Sequence, residues 1–329
     1  MNSLKSDSDP QGLTLVMPVY NRAHQVGRTL ASIAGQTRLP DEVILVDNAS
    51  TDATPQVLRA WAESMAGAPC RVRILTEPRR GASQARQTGL EHVATDYVMF
   101  FDSDDIMTPR HIEVIMTDFK SDPALDMTVW NVRFVRADGS TRVRRMLPHD
   151  VWQNHMVQGL LGTQSYAVRT DFLRRCGGWR REIGGWDDWE LGVRLLLQNP
   201  RMRISCEPRV DITVQADSIT GLDFSHRAGD WERALDLAEQ AIMAKAEARQ
   251  MQRLLTMIAY RRLNLAAHYR REGEPGQATG LRLRAMKELE RTGIRPALWK
   301  RVLLSASYHH TASGLPAAGA IYPPLLMKF

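Results

Sequence analysis

The sequence predicts an α/β fold: a mostly parallel sheet flanked by helices, followed by an all-helical C-terminal region. Three observations carry this reading. Short runs rich in Val, Ile, Leu and Phe alternate with segments of helical spacing through roughly the first third of the chain; acidic and polar residues gather just after those runs; and the pattern turns purely helical from about Gly229. Strand and helix alternating in this way argue for βαβ units, whose crossovers cover both faces of a parallel sheet.

In order along the chain, Leu13–Val19, Glu42–Asp47, Arg71–Thr76 and Asp96–Phe101 read as strands, each followed by a polar turn, while His24–Gly35, Asp52–Met65 and Ser83–Val93 read as the helices between them. From about Pro109 to Gln215 strand-like runs (Met127–Val135, Ser165–Arg169, Met202–Cys206, Val210–Val214) mix with helix-like ones (His111–Lys120, Trp186–Gln198). This stretch is expected to extend the sheet and build the other wall of a cleft. Beyond it Met251, Leu255, Ile258, Leu265 and Tyr269 recur on one helical face, and Gly273-Glu274-Pro275-Gly276 marks a turn between two helices.

The resulting organisation is a disordered leader over 1–11, a catalytic domain over 12–225 and a helical region over 226–329 that ends in an irregular tail. The tail from Val302 to Met327 has no Lys, Arg, Asp or Glu. Gly314, Pro316, Gly319, Pro323 and Pro324 nevertheless argue against a spanning helix there.

Composition excludes several classes. An apolar share of 43% and a charged share of 24% are those of an ordinary soluble globular protein. Cys70, Cys176 and Cys206 form no CxxC pair and read as reduced thiols in a cytoplasmic protein. The net charge of +6 is uneven: residues from His226 onward hold 17 Lys and Arg against 9 Asp and Glu, so the basic surplus lies there. A basic face of this kind fits a solvated helical surface, or a peripheral contact with anionic lipid headgroups at the inner face of a membrane, with an acidic glycan or with nucleic acid.

Asp102-Ser103-Asp104-Asp105 follows the apolar strand Tyr97–Phe101 and concentrates three carboxylates. Carboxylates this close repel unless a cation or hydrogen-bond donors offset the cost. A Mg²⁺ or Mn²⁺ bound through one or two of them, keeping its other positions for water and phosphate, neutralises a diphosphate leaving group. A helix N-cap at Asp105 or Thr108 is the structural alternative.

Four segments, in order, carry a resemblance: Leu15-Val16-Met17-Pro18-Val19-Tyr20-Asn21-Arg22, Val43–Asp52, Gly81–Gly89 and Phe101–Asp105. Together they resemble the motifs of family 2 glycosyltransferases with the GT-A fold, in particular small soluble inverting bacterial members. The resemblance covers roughly residues 12–221. It implies that Pro18, Val19, Tyr20, Asn21 and Arg22 cradle the nucleotide, that Asp47 with Asn48 meets the base, commonly uracil, and that Arg86 contacts the donor. Gln87 stands where the family commonly has Asn. Asp102 and Ser103 fall at ribose or sugar contacts, and Asp104, with Asp102, at the metal. The implied donor is a nucleotide-diphosphate sugar, most often a UDP-sugar, and the acceptor a hydroxyl of a glycan, a lipid-linked glycan or a similar molecule.

A sugar hydroxyl needs its proton removed as it attacks. Trp186-Asp187-Asp188-Trp189-Glu190-Leu191 resembles the acceptor-side acidic segment of the same family, with Asp188 at the conserved Asp and therefore the general base, Asp187 in place of the usual Glu, and Glu190 as the fallback. Asp187 and Asp188 also suit the positive end of a helix, and Trp186 and Trp189 suit either a sugar face or the core. Gln215 or Ala216 stands where many such chains place a His before a segment like Asp217-Ser218-Ile219-Thr220.

The rivals are weaker. A dinucleotide-binding dehydrogenase would show GxGxxG after its first strand, and Pro18–Arg22 has no glycine. A nucleotidyltransferase would open on a Gly-rich basic loop, a processive synthase would carry Gln-x-x-Arg-Trp, and no nucleic-acid motif is present. A catalytically silent binding or scaffold protein of the same fold is the alternative from another class. The helical region is expected to dock an acceptor, a membrane or a second copy of the chain.

Overall fold

Strands β1 (Leu13–Val19), β2 (Glu42–Asp47), β3 (Arg71–Thr76), β4 (Tyr97–Phe100), β5 (Ile106–Met107), β6 (Met127–Val135), β7 (Thr141–Val143), β8 (Tyr166–Arg169) and β9 (Met202–Thr213) form one sheet in a computed structural model. Its helices are α1 (Val26–Ala34), α2 (Thr54–Ser64), α3 (Ala82–Glu91), α4 (His111–Ser121), α5 (Val151–Gln158), α6 (Thr170–Arg175), α7 (Asp187–Leu196), α8 (Ala228–Lys245), α9 (Ala248–Arg271), α10 (Pro275–Arg291), α11 (Leu298–Ala312) and α12 (Ala318–Leu326). The structure describes residues 12–144, 146, 150–214, 224–291, 297–315 and 318–327. The expected leader and the Gln215–Thr220 segment lie outside the described residues.

The chain divides into two compact units. The first comprises Met1–Val143, Thr163–Arg181 and Pro200–Thr213; the second comprises Arg144–Gly162, Glu182–Asn199 and Val214–Phe329.

In the first unit the sheet order is β3-β2-β1-β4-β8-β6-β9-β5, with β7 paired to β6. Strands β3, β2, β1 and β4 run parallel, while β8 joins β4 and β6 antiparallel. β1 and β2 are buried along their whole length. That is why they read as continuous apolar runs rather than as alternating ones. Pro18 sits in central β1 without breaking it. Amides in a parallel strand point alternately to either neighbour, and Asn48 N donates to Val19 O at 2.8 Å on the β2 side. Pro18 therefore faces β4, whose ladder with β1 has already ended at Val16–Phe100. Helix α3 lies so close to the sheet that a Cβ at Gly89 would overlap Val16 Cγ1.

The two runs expected at Met202–Cys206 and Val210–Val214 are one strand, β9, continuous across an irregularity opposite Asn131. Short β5, β7, α5 and α6 had no clear sequence signal.

The second unit is helical. Its core joins Leu235, Leu254, Ile258, Leu265, Tyr269, Leu304 and Tyr308 to Met156 of α5 and Trp189 and Val193 of α7. Apolar packing thus draws the segments 144–162 and 182–199, which the sequence reading placed in the catalytic domain, into this unit. Where an irregular tail was expected, α11 and α12 form, separated at Gly314 with φ +72°. No helix among the described residues is long and apolar enough to cross a membrane.

Candidate functional site

The strand order reverses direction between β1 and β4, since β1 leads outward to β2 and β3 while β4 continues the other way. Loops at the carboxyl ends of strands flanking such a switch point form the usual ligand crevice of an open α/β sheet. Asn21 and Arg22 follow β1, and Asp102 to Asp105 follow β4, so both expected donor segments lie at this switch point.

The loop after β1 is tied to the loop after β2. Asn21, at φ +49°, accepts at Oδ1 from Thr51 N at 2.8 Å and donates its own amide to Ser50 Oγ at 3.0 Å. Arg22 N donates to Thr54 Oγ1 at 2.8 Å and Ala23 N to Asp52 Oδ2 at 3.1 Å. Asp47 is buried at the end of β2, where Ser50 N donates to its Oδ1 at 3.3 Å. Asn48 holds the next loop: its Nδ2 donates to Glu77 O and Arg79 O, and its Oδ1 accepts from Gly81 N. Tyr20 remains exposed, with the Arg80 guanidinium 5.0 Å from its ring centroid.

The acidic segment does not present three converging carboxylates. Asp102 pairs with Arg86 at 2.7 Å, and Asp104 faces Arg22 at 3.8 Å. Ser103 is buried between them, its carbonyl accepting from Thr29 Oγ1 at 3.0 Å. Asp105 turns inward, where Gln164 Nε2 lies 2.5 Å from its Oδ2 and Thr213 N donates to its Oδ1 at 3.1 Å. Burial, with the charges of Asp102 and Asp104 adding, pushes the Asp105 carboxyl well above the usual carboxylate range.

Arg86 is itself buried and lies 4.8 Å from the centroid of the Trp179 ring. Trp179 is held in turn by Gln87, whose Oε1 accepts the Trp179 amide at 2.9 Å. The residue that departs from the family pattern therefore positions the platform under Arg86. A second network supports the same helix: Glu77 Oε2 accepts from Thr88 Oγ1 at 2.5 Å and from Arg181 Nη1 at 3.2 Å. Burial works against ionisation there, but hydrogen bonds from Arg79 and Thr88 hold the Glu77 carboxyl at about 2. The partners Trp179, Arg181 and Gln164 were not legible as site residues.

Among the described residues no group of three or more His, Cys, Asp or Glu side chains converges as a metal cage. Asp102 and Asp104 still fit a Mg²⁺ or Mn²⁺. Their side chains retain 30% and 23% exposure beside the switch point, and they offer hard oxygen donors only. Such ions are commonly held by one or two carboxylates with water and phosphate completing the shell.

In the second unit, α7 starts at Trp186, which takes a left-handed φ of +55°. That backbone state is costly for a bulky residue. Packing compensates: Trp186 meets Trp231 at 5.2 Å and Phe224 at 6.2 Å between ring centroids, and the Arg261 guanidinium lies 4.3 Å from the centroids of both Trp186 and Trp189. Gly185 permits this, since a Cβ there would overlap the Trp231 ring. Both tryptophans are therefore packing residues, with Trp189 buried and Trp186 half-buried.

Asp187 and Asp188 open α7 half-buried, and Asp188 Oδ1 accepts from Trp189 N at 2.7 Å. Asp188 also acts electrostatically on two buried arginines, Arg144 and Arg261. Burial brings each guanidinium down to about 10, and the Asp188 charge opposes that fall. Glu190, the fallback base, is fully buried and grips Arg194 through both oxygens at 2.8 Å. It is a structural ion pair.

This sheet order, the paired loops at the switch point and the acidic segment after β4 define a nucleotide-binding α/β architecture of glycosyltransferase type. The comparisons name the family: residues 14–183 match Glycosyl transferase family 2, and the chain belongs to that family. It is 30% identical over 116 residues to glycosyltransferase GlyA of Streptococcus pneumoniae, a match covering 34% of this chain and 16% of that protein. It is 30% identical over 103 residues to the UDP-Glc:alpha-D-GlcNAc-diphosphoundecaprenol beta-1,3-glucosyltransferase WfgD of Escherichia coli, covering 31% of this chain and 38% of the other. These matches span well under half of either relative. Among solved structures, S. aureus TarS 1–349 in complex with UDP-GlcNAc aligns with a TM-score of 0.69 at 16% identity over 96% of this chain and 90% of that one. That likeness establishes the GT-A fold.

Proposed function

We propose that the protein transfers a sugar from a nucleotide-diphosphate sugar, a UDP-sugar first among donors, to a hydroxyl of a glycan, lipid-linked glycan or similar acceptor. The observation that carries this reading is the pairing of Arg86 with Asp102 and of Arg22 with Asp104 at the switch point. An Arg guanidinium suits phosphate oxygens, and a carboxylate released from its arginine suits a cation. A diphosphate arriving with a divalent ion exchanges partners with both pairs, so no charge is left bare. Support for uridine as the base comes from family membership, from the UDP-GlcNAc bound by TarS and from the UDP-Glc in the name of WfgD.

In this reading Asp104, with Asp102, holds the Mg²⁺ or Mn²⁺, which when bound neutralises charge building on the departing diphosphate. Asp188 takes the acceptor proton. The acceptor oxygen bonds to the anomeric carbon as the bond from that carbon to the phosphate oxygen breaks, and the electron pair leaves with the nucleoside diphosphate. A single displacement of this kind inverts the anomeric centre.

Calorimetric titration of UDP, GDP and dTDP into wild type and Asp104→Ala, each with and without Mn²⁺, tests the donor assignment. One nucleotide is expected to bind, and to need both the metal and Asp104. Binding of none of the three, or binding indifferent to Asp104, overturns it.

A further inference from the structure

Arg86 enters the exchange of partners with a second hold besides Asp102. Its guanidinium stands 4.8 Å from the centroid of the Trp179 ring, and that ring meets Phe100 in a T-shaped contact, 5.0 Å between centroids. Phe100 closes β4, two residues before Asp102. The indole is therefore fixed between the strand that leads into the acidic segment and α3, the helix that carries the arginine. The chain turns sharply to put it there. α6 ends at Arg175, and Gly177 and Gly178 follow at φ +88° and +59°, left-handed values that favour glycine. A side chain at Gly178 is excluded for a second reason, because a Cβ would lie 2.6 Å from Gln87 Oε1, the atom that accepts the Trp179 amide. Arg181, two residues on, donates to Thr88 Oγ1 at 3.0 Å and to Glu91 at 2.8 Å. The segment is thus laid against α3 both at Trp179 and beyond it.

The choice of tryptophan is itself informative. Trp179 is 2% exposed, and its indole N–H finds no hydrogen-bond partner among the described residues. A buried donor left unmet costs stability, a cost that phenylalanine or leucine in the same place would not carry. What tryptophan adds is its ring face, the best of the aromatic faces for a cation. That face matters during the exchange. A guanidinium released from its carboxylate regains the freedom of a long side chain, which is lost again when phosphate binds. A ring face attracts the charge without taking up an N–H, so it holds Arg86 before and after the change of partner.

We propose that Trp179, seated by Gln87 and Gly178, is a positioning residue for the diphosphate of the donor: it keeps the Arg86 guanidinium in place while Asp102 gives way to phosphate. This rests on the donor reading above and adds to it the residue through which the arginine stays aimed.

The test is calorimetric titration of UDP in Mn²⁺, or of GDP or dTDP where wild type takes one of those instead. It is run on the full chain as wild type, Trp179→Phe and Trp179→Leu, and again with each of these in an Arg86→Gln background. Trp179→Leu is expected to weaken nucleotide binding by about tenfold or more and Trp179→Phe by about threefold, since the smaller face keeps part of the attraction. With Arg86→Gln already present, neither is expected to weaken binding further, because the ring acts through the arginine. A ring that only fills the core would lower affinity by the same factor in both backgrounds. If Trp179→Leu loses its fold, seen by circular dichroism, Trp179→Phe in the two backgrounds decides by the same criterion. The proposal is overturned if the Trp179 variants bind as wild type does, or if their effects simply add to that of Arg86→Gln. Wild type that binds none of the three nucleotides brings down the donor reading and this one with it, whereas wild-type binding that is indifferent to Trp179 sinks this one alone.

Discussion

Replacing Arg86 by Gln tests the charge logic of the donor site most directly. Arg86 and Asp102 are 2.7 Å apart, with side chains 7% and 30% exposed. At an effective dielectric constant of ~20 the gross attraction at that distance is about 6 kcal/mol. Burying the guanidinium offsets much of it, and the exposed carboxylate is screened by water, so the truncation is expected to cost about 2–3 kcal/mol of stability. Asp102 would then be left beside Asp104 and Asp105 without its cation. Two readouts separate the pair from simple loss of packing on Trp179. In urea unfolding, Arg86→Gln and Asp102→Asn combined should cost less than the sum of the two by about 1–2 kcal/mol. In calorimetry, Arg86→Gln should weaken UDP binding in Mn²⁺ but strengthen Mn²⁺ binding to the nucleotide-free protein, because one ligand is freed. Additive stabilities, or Mn²⁺ affinity unchanged by Arg86→Gln, would refute the exchange argument.

Three further outcomes follow from the geometry. His111 is fully buried edge-on to Trp130, neither ring nitrogen finds a hydrogen-bond partner, and burial lowers its pKa to about 3. A depressed folded-state pKa means stability is intact above the unfolded value of about 6.5 and is lost as pH falls from there toward 3. The loss is about 2 kcal/mol at about pH 5, so His111→Phe should be near neutral at about pH 8 and relatively stabilising at about pH 5 by urea unfolding. Gly89→Val should destabilise the first unit by about 3 kcal/mol or more, since its Cβ meets Val16 Cγ1 in the centre of the sheet and α3 must move; an unchanged thermal midpoint would contradict the packing. Asp188→Asn should retain nucleotide binding and lose transfer by more than about a hundredfold once an acceptor is in hand; a fully active variant would remove Asp188 as the base.

Strands β1, β2 and β4 were legible because they are buried along their length and separated by helices, so each reads as an apolar block with a polar end, whereas β3 is half-buried with exposed ends. Elements that failed to declare themselves are short or depend on distant partners. β5 is two residues long and exists by pairing with β9. α5 carries half-polar residues such as Gln153, Asn154 and His155 that are buried by tertiary contacts, with His155 Nε2 2.9 Å from Trp189 O. The uncharged tail read as irregular because glycines and prolines interrupt it, yet helices form on either side of Gly314 once Leu304, Tyr308 and Leu326 have a core to join.

The candidate site divides along the same line. Its acids announce themselves, because carboxylates crowd just after an apolar strand or at a helix start, where local sequence places them. Of the cations that balance them, Arg22 and Arg86 come with the family resemblance but without their pairings, and Arg144 and Arg261 do not show at all. Arg22 meets Asp104, Arg86 meets Asp102, and Asp188 acts on Arg144 and Arg261, partners drawn from other loops and helices by the fold. A motif therefore identifies residues but not which of them the fold pairs. In the proposed reading the pairing decides the chemistry, because an acid that starts out paired gives up its arginine most readily to a ligand carrying both signs of charge. A metal-bound diphosphate is such a ligand, whereas a bare sugar or a lone anion is not. In that reading the same pairing that keeps Asp102 and Asp104 from repelling one another also selects what binds between them.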